Sequence, residues 1–89
     1  MKMPSRAQLD LLRQRYPPGT EVELIAMPND PYPVPPGTRG KVLMVDGAGD
    51  ILMKWDNGSS LSLIPGVDSF QKVPEQELIQ KTSMTMGGM

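Results

Sequence analysis

The chain contains no cysteine and no histidine. The first absence excludes disulfide staples and thiolate nucleophiles, and the second excludes imidazole acid–base chemistry; together they remove the ligands of the usual zinc sites. Aromatic side chains are also scarce, with one Trp, two Tyr and one Phe. No apolar run approaches the roughly 18 residues of a membrane span. The Met1-Lys2-Met3-Pro4 start lacks the apolar stretch of a signal peptide. These absences lead us to expect a cytoplasmic protein with no membrane partner, no cofactor, no metal site and no catalytic residue.

An excess of charge of one sign is missing too, since nine basic and ten acidic residues leave a net charge of −1. The charges are nevertheless segregated. Residues 1–16 carry Lys2, Arg6, Arg13 and Arg15 against Asp10, whereas residues 17–70 carry Glu21, Glu23, Asp30, Asp46, Asp50, Asp56 and Asp68 against Arg39, Lys41 and Lys54. Nucleic-acid binding draws most of its affinity from basic side chains that neutralise phosphates, so an acidic central region argues against a groove for DNA or RNA there.

What the chain has in quantity is turn-forming residues: ten proline and nine glycine in 89 residues. A domain of this length buries only about 60–65% of its unfolded surface, so the core must be modest. Ser5 followed by Gln8 three residues later is a capping box, and Leu9, Leu12 and Tyr16 recur at helical spacing before Pro17-Pro18. This predicts an N-terminal amphipathic helix within residues 1–16. About three turns of helix are marginal alone in water, so the helix must dock on the rest of the domain or on a partner.

Residues 17–73 read as five short strands. Val22, Leu24 and Ala26 alternate with acids over 21–27; residues 39–46 and 50–55 follow, the latter with Ile51, Met53 and Trp55 on one face; 60–64 and 69–73 complete the set. Asn57-Gly58 predicts a type I′ hairpin turn. Between the first two strands, Pro28, Pro31, Pro33, Pro35 and Pro36 surround Tyr32 and Val34 in a stiff surface loop. Pro35-Pro36-Gly37-Thr38 repeats the tetrapeptide at 17–20, and both copies read as turns leading into strands. The expected fold is mainly β, a small five-stranded SH3-like barrel, since closure removes exposed edges. Residues 74–89 are expected to form a flexible, partly disordered tail, with a short helix over 75–80 as the one element it could hold.

The stretch from Pro35 to Val42, followed by Gly49-Asp50-Ile51-Leu52-Met53-Lys54-Trp55-Asp56-Asn57-Gly58-Ser59-Ser60-Leu61, resembles a family of small proteins from phages and bacterial mobile elements known as a domain of unknown function. The resemblance spans Pro4 to about Val73. It implies a bacterial host cytosol as the setting and brings no catalytic residue. More distantly, Gly-x-Val followed by Trp-Asp-Asn-Gly is similar to SH3-like barrel modules, including peptide-binding repeats of some eukaryotic ubiquitin ligases; fold alone does not carry function.

Three functions compete. The favoured one is a non-catalytic module that engages a protein partner, a host or host-defence factor if the setting is a mobile element, through Tyr32, Pro33, Val34, Pro35 and Trp55. Tyr32 is its strongest candidate, a loop aromatic between two prolines. Trp55 is either the floor of that surface or, in line with Ile51 and Met53, the largest core side chain, and the core reading is favoured. The second function is nucleic-acid binding through Arg6, Arg13, Arg15, Arg39 and Lys41. The third is metal-dependent hydrolysis through paired Asp residues. Asp46, Asp50, Asp56 and Asp68 lie beside turn glycines or at strand ends, where turn formation is the simpler account of them.

Overall fold

The computed structural model describes residues 3–74. Helix α1 (Arg6–Arg15) begins where the capping box predicts: the Ser5 hydroxyl accepts from the Gln8 amide, and the Gln8 side chain accepts from the Ser5 amide at 2.8 Å. Arg13 and Arg15 occupy its last turn, where cations complement the helix dipole. Four strands follow: β1 (Glu21–Ala26), β2 (Arg39–Val45), β3 (Ile51–Trp55) and β4 (Ser69–Lys72). They form one antiparallel sheet in the order β3-β2-β1-β4, so the first and last strands pair. The expected tail helix and tail disorder fall on 75–89, outside the described residues.

The two Pro-Pro-Gly-Thr turns are built alike. In each, the threonine amide donates to the first proline's carbonyl at 3.1 Å, with Gly19 at φ 90° and Gly37 at φ 89°. Proline second and a positive-φ glycine third are the requirements of a type II turn. Each turn is then held by the other strand. Gly19 donates to the Val42 carbonyl and Thr20 accepts from the Val42 amide, while Gly37 donates to the Leu24 carbonyl and Thr38 accepts from the Leu24 amide. The repeat is thus a pair of strand-entry turns, as the sequence suggested.

The expected closed barrel with five strands is corrected to an open sheet with four. The missing strand is Ser60–Ile64, of which only Leu63 bridges Ile51. Trp55 explains the interruption. Its indole N–H donates to the Leu61 carbonyl at 2.8 Å, and the Ser59 hydroxyl accepts from the Leu61 amide at 3.2 Å. Leu61 therefore spends both backbone groups on side chains instead of on a ladder with β3. The type I′ turn at Asn57-Gly58 is corrected as well. Gly58 alone has positive φ, its amide bonds the Trp55 carbonyl, and Trp55 bonds Ser59 across a three-residue loop. That is a turn completed by a glycine bulge, with the Asn57 side chain accepting from the Ser59 amide.

The core joins Val22, Leu24, Met27, Val34, Val42, Val45, Ile51, Met53, Trp55 and Leu63, with Leu9, Leu12, Tyr16, Leu61 and Phe70 half-buried against it. The predicted helical stripe is therefore the face by which α1 docks. Tyr16 meets Phe70 edge-on at 5.6 Å, Lys72 lies 5.1 Å over its ring, and Pro4 rests against Gly49. Two bulges interrupt the alternation, one between Leu24 and Ala26 and one between Val42 and Met44. They leave Ile25, Leu43 and Met44 exposed. Among the described residues, no helix is long and apolar enough to cross a membrane.

Gly40 sits opposite Trp55 in the β2–β3 register. A Cβ there would lie 2.8 Å from the Lys54 carbonyl oxygen and 2.8 Å from the Trp55 ring. Gly40→Ala is expected to destabilise the fold by about 1–3 kcal/mol, the range for overpacking a tight site. Gly47→Ala, where a Cβ meets nothing within 4 Å, should change stability little. Urea unfolding followed by the fluorescence of the single Trp measures both.

Candidate functional site

The proline loop is anchored from within. Val34 is 2% exposed and sits in the core, while Gly37 and Thr38 are bonded to Leu24. At its other end the Asp30 amide bonds the Met27 carbonyl, and the Asp30 carboxylate accepts from the Tyr32 amide at 2.9 Å. Tyr32, held between these anchors, is 85% exposed. A loop whose backbone is pinned on both sides presents that ring at little entropic cost to a later contact.

A second turn packs beside the loop. Pro65-Gly66 folds the chain back so that the Ile64 carbonyl accepts from both Val67 and Asp68, and the Asp68 carboxylate accepts from the Ile64 amide at 2.8 Å. Between the two lies a cleft of about 150 Å³ lined by Asn29, Asp30 and Pro31 from the loop and by Ser62, Ile64, Val67 and Asp68. Ile64 and Val67 are exposed. The cleft is an apolar strip with a carboxylate on each wall.

Of the residues expected to form a partner surface, Tyr32, Pro33 and Pro35 are exposed together on the loop. Val34 and Trp55 are not available to a partner. Trp55 is 2% exposed, with its indole committed to Leu61, so its place is the core. Ile64 and Val67 had escaped the list of candidates, and Asp68 had been weighed as a metal-binding acid or a turn former and not as part of a partner surface. Pro65-Gly66 and Asp68 were readable as a turn, but nothing in their spacing reports that the turn packs against residues 29–31.

The candidate basic residues are divided between α1, which carries Arg6, Arg13 and Arg15, and β2, which carries Arg39 and Lys41. Arg39 is paired with Glu23 at 3.1 Å, and Arg13 donates through Nε and one terminal nitrogen to the Val45 carbonyl, both at 3.4 Å. Arg15 projects roughly 160° around the helix from Arg13. Lys41 stands across from Glu21 on one side and Lys54 on the other. Two of the four candidate acids are engaged in turns: the Asp46 carboxylate accepts from the Ala48 and Asp50 amides, and the Asp68 carboxylate from the Ile64 amide. Among the described residues, no group of three or more acidic side chains is placed to hold a metal ion.

The family model described as Domain of unknown function (DUF4314) matches residues 5–73, and the chain belongs to that family. No curated protein and no solved structure matches the chain.

Asp68 fixes the wall of the cleft through its bond to Ile64. Asp68→Ala is expected to cost about 1 kcal/mol, the net worth of such a bond, and to speed hydrogen exchange of the Ile64 amide. Denaturant titration and amide exchange by NMR read the two effects.

Proposed function

We propose that this member of the DUF4314 family is a non-catalytic binding module whose contact surface is the Tyr32 loop together with the neighbouring cleft. The observation that carries the reading is a large aromatic ring held 85% exposed by a loop that is anchored through a buried Val34. Exposed aromatics are the residues that interfaces use most, because they combine large area with few rotors. The cleft adds apolar Ile64, Val67 and Pro31 beside the ring, which suits one extended segment of a protein partner.

The open sheet is read here as a partial SH3-like barrel, with the first and last strands paired and residues 59–63 running beside β3. That reading, like the phage or mobile-element setting, makes a bacterial host protein the first class of partner to screen. The dispersed, partly paired arginines support the protein-binding reading over the nucleic-acid one.

Tyr32→Ala should leave stability within about 0.5 kcal/mol, as for other surface changes, and should abolish capture of a specific protein from bacterial lysate. Ile64→Asp should do the same, and Arg6→Ala on α1 should not. Capture that survives both loop and cleft substitutions refutes the assignment. Tight binding to generic duplex or single-stranded nucleic acid at about 50 mM salt, lost steeply as salt rises, would transfer the function to the basic residues.

A further inference from the structure

The cleft between the proline loop and the second turn joins an apolar lining, Pro31, Ile64 and Val67, to two acids, Asp30 from one side and Asp68 from the other. Each carboxylate spends one oxygen on a backbone amide: Oδ1 of Asp30 accepts from Tyr32 at 2.9 Å and Oδ2 of Asp68 accepts from Ile64 at 2.8 Å. An ionised carboxylate has about four acceptor sites, so most of that capacity is unspent. Neither acid has an ion-pair partner among the described residues. The cause lies in the sequence, because no lysine or arginine occurs over residues 24–38 or 55–71, the two stretches that supply the walls. Tyr32 adds to the same preference. Its ring, 85% exposed, follows directly on Pro31, and the face of a tyrosine attracts a cation. A long basic side chain lays its methylene stem on apolar surface and keeps its charged head outside. One such side chain matches the order of groups here.

We propose that this surface selects an extended partner segment that carries a lysine or arginine beside apolar residues, with the basic stem on Ile64 and Val67 and its cation at Asp30 and Asp68. The proposal rests on the assignment of the Tyr32 loop and cleft as the contact surface, and it narrows that assignment by charge: a neutral segment of the same shape binds less well, and an acidic one least. The apolar lining supplies contact area, and the two carboxylates supply the choice between partners.

The probes are three blocked peptides, acetyl-Leu-Arg-Leu-amide and its Gln and Glu counterparts, titrated into the full-length chain while its amide signals are followed by NMR. The Arg peptide should shift the amides of Asp30, Tyr32, Ile64, Val67 and Asp68, with a dissociation constant about fivefold below that of the Gln peptide, the scale of two exposed charge pairs. The Glu peptide should bind more weakly than either, and the differences should shrink as salt is raised. Asp30→Asn combined with Asp68→Asn keeps a side-chain oxygen for each backbone amide and removes both charges. In that variant the Arg and Gln peptides should bind alike, while unchanged exchange of the Ile64 amide reports that the turn is intact. Equal binding of the Arg and Gln peptides to the parent chain overturns the charge selection and leaves the contact surface standing. No shift at these amides with any peptide overturns the proposal and counts against the surface itself. The same shifts on concentrating the protein alone also overturn it, in favour of a second copy as the occupant.

Discussion

The structure rests on two short pieces of backbone pairing in which each Pro-Pro-Gly-Thr turn is bonded to the strand that the other turn introduces. The regular ladder between β1 and β2 has only three registered pairs, Glu21 with Lys41, Val22 with Gly40 and Glu23 with Arg39. The turns lengthen it at both ends, through Val42 at one and Leu24 at the other. Val42 and Leu24 are also core residues, so the same positions fix strand register and side-chain packing. Because β1 and β2 are the two inner strands, a slip there would displace β3 and β4 together and turn every buried side chain to the wrong face. Proline in both turns restrains the unfolded chain, which favours the native register without adding a contact.

The same constraint shapes the candidate surface. The loop between β1 and β2 must return to a fixed register within a dozen residues, and five prolines leave it few ways to do so. Val34 enters the core while Tyr32, two residues earlier, points to solvent, with the Asp30 carboxylate capping the Tyr32 amide. The exposure of Tyr32 follows from what is buried beside it. Its neighbour Val34 is committed to the core, and among the described residues nothing covers the ring. The cleft has a parallel origin, since the Asp68–Ile64 bond closes the second turn and presents Ile64 and Val67 outward.

Local signals in the sequence were reliable where the interaction was itself local. The capping box at Ser5 and Gln8, the stripe of Leu9, Leu12 and Tyr16, and the face formed by Ile51, Met53 and Trp55 all depend on near neighbours. What was not legible depends on tertiary partners. The alternating Ser60-Leu61-Ser62-Leu63 is a good strand pattern, yet the Trp55 indole needs an acceptor once buried and takes the Leu61 carbonyl, which breaks the ladder. Asn57-Gly58 favours a type I′ turn in isolation, but the bond from Trp55 to Ser59 selects a three-residue loop. The bulges at Ile25 and Leu43 leave no mark in a pattern of apolar residues that would read equally well as regular strand. The candidate surface divides the same way: Tyr32 was visible as an aromatic among prolines, whereas the wall supplied by residues 64–68 requires knowing that two distant turns meet.

These misses share a cause that bears on function. A small domain with one Trp has a core too limited to accommodate that side chain without rearranging its surroundings. Gly40 gives up its side chain to make room for the ring, and Leu61 gives up its ladder to satisfy the indole. Loss of the expected strand over 60–64 leaves Leu63 as the bridge from this stretch to β3, and the chain then turns at Pro65 toward residues 29–31. The cleft is therefore a consequence of burying Trp55. The residue most suggestive of a binding platform acts from the interior, by determining where the surface that can bind is formed.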